Sequence, residues 1–185
     1  MQGFFGAGPR RVNAISREPL DRRRLLSEDD STGMASSALS DLFSEEHLVL
    51  DLASAKAGEA IWEIVQRLQA SGGLSDPENF YKLVMEREEK SSTVANGGVA
   101  FPHARTNLVE QILLGIGRSQ NGVVFPGRAD LVHLIFLIAV PQQMVNDYLI
   151  CVGALARLLK SDERRKALLA ATSGAEFFQE LRPEI

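Results

Sequence analysis

The chain has 185 residues and a mass of 20.3 kDa, which suffices for one hydrophobic core and excludes two domains of ordinary size. Hydrophobic residues make up 45% and charged residues 24%, so the chain is not disordered or fibrous throughout. The net charge of −4 offers no basic footprint for nucleic acid or anionic lipid. The longest apolar run, 131–141, is far shorter than the ~20 residues of a membrane span, so we expect no membrane insertion. The single Cys151 needs no oxidising compartment, which favours a cytoplasmic location.

The first forty residues differ in charge from the rest of the chain. Residues 1–40 hold six arginines and five acidic residues, whereas residues 41–185 have a net charge of −5. Because the first segment is also poor in apolar side chains, we expect residues 1–40 to be a disordered extension and residues 41–183 to form the domain. The order of charged and apolar residues around Phe4-Phe5 does not fit a secretory signal, and Met34 is an alternative start of translation.

Strands and helices alternate after the extension. The apolar run 49–52 predicts a strand, and apolar residues at helical spacing from Ala60 to Leu68 predict a helix that ends at Gly72-Gly73. Asp76-Pro77 combines an N-cap with a proline at the first helical position, and this second helix ends near Lys90.

The second half of the chain completes the predicted sheet. Further strands are predicted at residues 97–101, 112–116, 123–125 and 131–140. Three helices follow: 149–159, a helix from a Ser161 cap to Ala171, and one that begins with the capping box of Ser173 and Glu176. About five strands among five helices predict a single α/β domain, with a mixed sheet flanked by helices on both faces.

Residues 91–105 contain the most informative pattern, in which Pro102-His103 follows a glycine-rich strand. Proline fixes the path by which the chain leaves this strand, so the pattern predicts that His103 lies at the strand end, where α/β proteins usually place their functional sites. Ser92, Thr93 and nearby N–H groups could bind an anion there. A structural turn with an incidental surface histidine is the alternative.

Arg87 continues the apolar face of the helix that contains Leu83 and Val84, so it should point inward. It either snorkels or pairs with a carboxylate such as Asp147 or Glu86, or it balances an anion beside His103. A neutral imidazole is a good nucleophile at phosphorus, and phosphoryl transfer requires mainly positioning and charge stabilisation. These residue types therefore suit a phosphohistidine carrier that needs no cofactor.

Other motifs give weaker evidence of function than residues 91–105. Gly115-Ile116-Gly117 lacks the third glycine of a dinucleotide-binding motif and lies in a predicted strand. His47 is predicted on the surface, and His133 is predicted to pack in the core or at a cleft edge, with a supporting role near His103 as the alternative. The spacing of the histidines predicts no metal site, and Cys151 lies on an apolar helical face as a buried residue.

The motifs at 93–105, Met85-Glu86-Arg87-Glu88, 134–141 and 155–159 together resemble the enzyme IIA domain of the fructose/mannitol type. This family of the bacterial phosphoenolpyruvate:sugar phosphotransferase system includes the nitrogen-regulatory enzyme IIA proteins. The resemblance covers residues 41–183 and implies a mixed sheet flanked by helices.

The resemblance also implies roles for individual residues. His103 falls on the histidine that accepts phosphoryl from the phosphocarrier protein HPr and passes it to an enzyme IIB cysteine. Arg87, 16 residues upstream, falls on the arginine beside the phosphoryl group, and Ser92-Thr93 on a Ser-Thr pair of the site loop. Tyr148 stands where many members have a second histidine, and its neutral phenol can donate a hydrogen bond but cannot act as an imidazolium.

Three functions fit these residues. The first is a phosphoryl carrier of a sugar phosphotransferase system, with an HPr-like donor and an enzyme IIB acceptor. The second is a regulatory module in which phosphorylation of His103 changes the affinity for a target protein and no sugar is phosphorylated. The third is a related fold that binds partners without phosphorylation.

Overall fold

A computed structural model describes residues 39–182, which form one open mixed sheet with helices on either side. The strands are β1 (Leu48–Val49), β2 (Val94–Ala95), β3 (Val99–Ala100), β4 (His103–Thr106), β5 (Leu113–Val123) and β6 (Val132–Pro141). The helices are α1 (Ala57–Ala70), α2 (Pro77–Lys90), α3 (Val145–Leu158), α4 (Asp162–Ala170) and α5 (Gly174–Leu181), and Glu45–His47 is a 3-10 turn. The predicted extension, with Met34, lies outside the described residues except at its end, where Leu39 is buried at 2% exposure.

The sheet has the strand order β1-β5-β6-β3-β2, and β4 follows β3 along the same edge of β6. β5 and β6 are antiparallel at the centre, while β1 is parallel to β5, and both β3 and β4 are parallel to β6. This mixed order confirms the predicted α/β class. No helix within residues 39–182 is long and apolar enough to cross a membrane.

Alternation along β6 divides the core in two. Leu134, Phe136, Ile138 and Val140 face α3, α4 and α5, and Ile135, Leu137 and Ala139 face α1 and α2. A strand that is buried on both faces is apolar throughout, which accounts for its nearly continuous apolar sequence. The helices therefore cover both faces of the sheet, as predicted.

The predicted helix starts are found where local sequence dictates them. The Asp76 side chain accepts a hydrogen bond from the N–H of Asn79, and Ser161 and Ser173 cap α4 and α5 in the same way. In the predicted capping box the Glu176 carboxylate reaches back past the cap: it accepts from the N–H and hydroxyl of Thr172, and the backbone of Ser173 contributes a weaker hydrogen bond.

The two strands predicted at 112–116 and 123–125 are one strand, β5, with an irregular register between Arg118 and Val123. A polar stretch interrupts its apolar pattern, but Arg118 is only 3% exposed. Its guanidinium donates to the carbonyl oxygens of Leu50, Leu168, Leu169 and Ala171 and to the carboxylate of Asp51. These acceptors allow the strand to continue through a charged residue.

Gly115 and Gly117 owe their positions to close packing of α1 on β5, not to nucleotide binding. A Cβ at Gly115 would lie 2.6 Å from Cγ2 of Ile64, which is attached to a stiff β-branched carbon of the helix. We therefore expect Gly115→Ala to lower the free energy of unfolding by about 1–3 kcal/mol in urea denaturation.

Gly153→Ala is the matched control, because Gly153 lies in α3 and nothing lies within 4 Å of its missing Cβ. Alanine there should raise the free energy of unfolding by about 0.5–1 kcal/mol through its higher helix propensity. Equal effects of the two substitutions would contradict the packing explanation.

His103 does not follow the end of a strand, as the sequence suggested, but begins β4. Val99 pairs with Leu134 and His103 with Ile138, so β3 and β4 keep a single register on β6. The ladder is interrupted because Pro102 has no N–H, although its carbonyl oxygen accepts from the N–H of Ile138 at 2.9 Å. Within residues 39–182 β2 pairs only with β3, so His103 lies just past the stretch that β2 covers.

Candidate active site

The His103 ring is half-buried and held by the backbone. Its Nδ1 lies 2.9 Å from the carbonyl oxygen of Phe101, two residues earlier on the same face of the sheet. A carbonyl oxygen can only accept, so Nδ1 carries the hydrogen in the neutral ring. The lone pair of this tautomer is therefore on Nε2, the nitrogen that can act as a nucleophile.

The surroundings of His103 keep its ring neutral. Burial lowers its pKa below the usual 6.5, the hydrogen bond to Phe101 opposes this shift, and the positive charges of Arg87 and Arg105 lower the pKa further. At neutral pH the imidazole is unprotonated at Nε2, as nucleophilic attack requires.

Tyr148 lies against His103. The two ring centroids are 5.0 Å apart with a tilt of 38°. Burial raises the pKa of Tyr148 above 10.0, so at neutral pH its hydroxyl is a hydrogen-bond donor. The structure thus brings together two residues that are 45 positions apart in the sequence.

Arg87 lies in the last turn of α2, and its Nη1 donates to the carbonyl oxygen of Ser91 at 2.8 Å. Neither predicted carboxylate neutralises it: within residues 39–182 Arg87 forms no salt bridge, and Glu86 lies 3.9 Å from Lys82 instead. Its charge lowers the pKa values of both His103 and Tyr148, which places an uncompensated cation near the two rings.

Thr93 and Ser92 differ in their surroundings. The N–H of Thr93 donates to both carboxylate oxygens of Glu88 at 3.0 and 3.1 Å, and its hydroxyl donates to Oε2 at 2.5 Å. Ser92 is exposed, and its Oγ lies 3.4 Å from the N–H of Val94. Sequence reasoning missed Glu88; its place beside Arg87, five residues before Thr93, is the only local signal.

Two glycines shape the turn between β2 and β3. Gly97 and Gly98 have φ values of 81° and 73°, which L side chains rarely adopt. The carbonyl oxygen of Gly98 accepts from the N–H groups of His133 and Leu134, which fixes this turn to β6. The glycines therefore set the geometry of the β2–β3 turn beside His133, at the far end of β3 from His103.

The remaining histidines and the cysteine lie apart from this site. His133 lies on β6 five residues before the partner of His103, roughly 16 Å along the strand, so the alternative of a supporting role is wrong. His47 was predicted on the surface but is half-buried, and its Nδ1 has no hydrogen-bond partner among the described residues. Cys151 is buried, and burial raises its pKa to about 11. Among residues 39–182 no three metal-ligating side chains cluster.

The pKa of His103 predicts the effect of pH on any reaction of its Nε2. Because this pKa is lowered from 6.5, we expect the rate to be near its maximum at neutral pH and to fall in acid, as the ring is protonated, with a midpoint below pH 6.5. Removing the nearby cation in Arg87→Ala should raise the pKa and move this acid limb to higher pH. Titration of the His103 ring by NMR measures the shift, and Lys90→Ala at the same helix end should leave the ring's titration unchanged.

Comparison with known proteins places this geometry in context. The sequence model of one protein family, described as "Phosphoenolpyruvate-dependent sugar phosphotransferase system, EIIA 2", matches residues 41–183. The chain is 32% identical over 136 residues to the PTS system fructose-specific EIIABC component of Bacillus subtilis, a match that covers 73% of this chain and 21% of that protein. It is also 32% identical over 104 residues to the PTS system fructose-specific EIIA component of Haloferax volcanii, covering 56% and 68%.

A solved structure gives the same result for the fold. The nitrogen regulatory protein IIA-Ntr from Neisseria meningitidis superposes with a TM-score of 0.68 at 25% sequence identity. The match covers 77% of this chain and 98% of the Neisseria chain. The chain thus spans about a fifth of the Bacillus protein and nearly all of the Neisseria one.

Proposed function

This chain belongs to the EIIA 2 family of the phosphoenolpyruvate-dependent sugar phosphotransferase system, and from this premise we propose that it carries the phosphoryl group on His103. A phosphoryl-carrier role follows from the family. The observation that supports His103 as the carrier is its tautomer: Nδ1–H donates to Phe101 and leaves the Nε2 lone pair available.

The transfer needs no further protein nucleophile. Nε2 of His103 attacks phosphorus in line, the new N–P bond forms, and the bond between phosphorus and the donor's leaving nitrogen breaks. The proton on Nδ1 stays in its hydrogen bond to Phe101 throughout. In the transfer to an acceptor thiolate, the sulfur attacks phosphorus in line, the S–P bond forms, and the bond between phosphorus and Nε2 breaks.

The phosphoryl oxygens carry charge that residues 41–185, with a net charge of −5, must balance locally. Arg87 supplies the cation, since no carboxylate within residues 39–182 neutralises it. The Tyr148 hydroxyl donates a hydrogen bond, and Ser92 is an exposed hydroxyl that can do the same. Thr93 contributes differently, because its hydroxyl proton is directed to Glu88.

An HPr-like phosphocarrier is the donor that we propose, and an enzyme IIB is the acceptor. The Bacillus relative is named an EIIABC component, a name that places EIIA and EIIB in one protein. Leu149 and Ile150, next to Tyr148, are 59% and 53% exposed and offer a partner an apolar contact beside the site. We further propose that the domain spans residues 41–183 and acts in the cytoplasm.

Reconstitution tests the proposal. The full chain is incubated with phosphoenolpyruvate, enzyme I and HPr, and its intact mass is measured. We expect the gain of one phosphoryl group that is stable in base and lost in acid. A chain that gains no mass, while another enzyme IIA in the same mixture is phosphorylated, would overturn the proposal.

A regulatory role is the second candidate, and Tyr148 favours it. A phenol cannot supply the charge of an imidazolium, so onward transfer has less assistance than in members with two histidines. The likeness to a nitrogen regulatory protein fits this role. Sugar uptake that persists after deletion of the gene, together with a target protein that binds only one phosphorylation state, would identify regulation; loss of uptake would identify transport.

Tyr148→Phe separates hydrogen bonding from ring contact. The phenyl ring retains the contact with His103 but loses the donor, so we expect phosphorylation to slow about three- to tenfold with unchanged stability. Initial rates with HPr and the urea midpoint measure the two effects. A rate equal to that of the unaltered chain would exclude the hydroxyl as a phosphoryl ligand.

A further inference from the structure

A continuous series of hydrogen bonds connects α2 to the His103 ring. Both carboxylate oxygens of Glu88 accept from the N–H of Thr93. The carbonyl oxygen of Thr93 accepts from the N–H of Phe101 at 3.1 Å. The carbonyl oxygen of Phe101 in turn accepts from Nδ1 of His103 at 2.9 Å. Three bonds therefore separate the carboxylate from the imidazole, and each donates toward Glu88.

From this geometry we propose that Glu88 is a positioning residue that fixes the tautomer of His103 through Thr93 and Phe101. The inference rests on the proposed function, because it assigns how the same nucleophile is prepared. A charged acceptor polarises the N–H that donates to it, and aligned peptide hydrogen bonds strengthen one another. The Phe101 carbonyl thereby becomes a better acceptor for Nδ1–H, and the Nε2 lone pair stays available.

The carboxylate also fixes the loop in space. Glu88 holds the amide and the hydroxyl of Thr93 together, and its carboxylate is half-buried at the last turn of a regular helix. Without this anchor, Thr93 could move relative to α2, and the ladder bond to Phe101 would lengthen. The last turn of α2 therefore contributes two groups to the site, the guanidinium of Arg87 and the carboxylate of Glu88. The negative charge of Glu88 opposes the lowering of the His103 pKa by Arg87, which agrees with its nearness to the ring.

The test measures the tautomer of unphosphorylated His103 directly. The full chain is labelled with ¹⁵N, and the shifts of Nδ1 and Nε2 are recorded at a pH where the ring is neutral. Three variants are compared: Glu88→Ala removes the acceptor, Glu88→Gln keeps one acceptor oxygen, and Thr93→Val removes only the hydroxyl. Glu89→Ala is the control, because Glu89 is exposed and neighbours Glu88 on the same helix.

We expect the unaltered chain to show Nδ1–H, and Glu88→Ala to shift toward the Nε2–H form that an isolated imidazole prefers. Phosphorylation of Glu88→Ala by HPr should slow about tenfold at an unchanged KM, and that of Glu88→Gln by less, because the amide keeps one acceptor oxygen without the charge. Glu89→Ala should stay within about twofold of the unaltered rate. Thr93→Val should shift the tautomer in the same direction by less. If Glu88→Ala does not fold, Thr93→Val decides the test.

An unshifted tautomer in Glu88→Ala, or in Thr93→Val where that variant decides, would overturn the proposal. A shift in Glu89→Ala as large as in Glu88→Ala would also overturn it, since the loss of any negative charge at this helix end, and not the series of hydrogen bonds, would then control the ring. The NMR result does not require any phosphoryl transfer. Failure of the proposed function in reconstitution is therefore distinguishable from failure of this inference.

Discussion

Replacing His103 by glutamine is expected to abolish phosphorylation of the chain by HPr, with a loss of more than about 10³-fold in initial rate. Glutamine keeps a polar side chain of similar reach at the start of β4 but has no ring nitrogen with an available lone pair. No other histidine lies at this site, since Nδ1 of His133 donates to the carbonyl oxygen of Ser119, well away along β6. Intact-mass measurement after reconstitution gives the result.

His133→Gln and His47→Gln are the matched controls, and both should retain full phosphorylation. Their urea midpoints, compared with that of His103→Gln, establish that each variant is folded. An acid-labile phosphate that persists in His103→Gln would place the nucleophile elsewhere and contradict the assignment.

Replacing Arg118 by methionine should produce the largest loss of stability, about 3 kcal/mol in the free energy of unfolding. The guanidinium is almost fully buried and donates to carbonyl oxygens at the end of α4 and to that of Leu50. Methionine preserves the bulk of the side chain but leaves these buried acceptors without a charged donor. The partial negative charge at the end of α4 loses its neighbouring cation as well.

The ion pair with Asp51 contributes little to this effect. Nη2 lies 2.8 Å from the carboxylate, but the Asp51 side chain is 71% exposed, so water screens the attraction. Asp51→Asn should therefore lower the free energy of unfolding by less than about 1 kcal/mol. Urea denaturation of both variants, with the exposed Arg128→Met as control, decides between the two contributions. A loss in Asp51→Asn equal to that in Arg118→Met would contradict the dominance of the carbonyl bonds.

The predictable parts of this protein are those that depend on neighbours in sequence. Asp76 and Ser161 cap their helices as predicted because an N-cap needs only an N–H three residues away. β6 was predictable because burial on both faces leaves a continuous apolar run. The proximity of Tyr148 to His103 could be expected only from the family resemblance, since nothing local relates the two.

The unpredicted features depend on the backbone of distant segments. Arg118 is paired mainly with carbonyl oxygens about fifty residues later, and a carbonyl leaves no signature in the sequence. The charge of Arg118 therefore suggested two separate strands where β5 is continuous. Pro102 led to the wrong prediction that the strand ends before His103. It removes one ladder bond without ending the pairing, because the register on β6 is the same before and after it.

The backbone around His103 also bears on how a sheet edge can stay accessible without aggregating. Among residues 39–182, β4 pairs only with β6, and an unpaired edge strand is a template for strands of other molecules. Such a template needs a regular row of free donors and acceptors, and immediately before β4 the carbonyl oxygen of Phe101 is already bound by the His103 ring. The β2 segment is itself only two residues long. The imidazole of His103, which we propose as the nucleophile, can thus remain open to a partner's side chain on an edge that is poorly suited to intermolecular β-pairing.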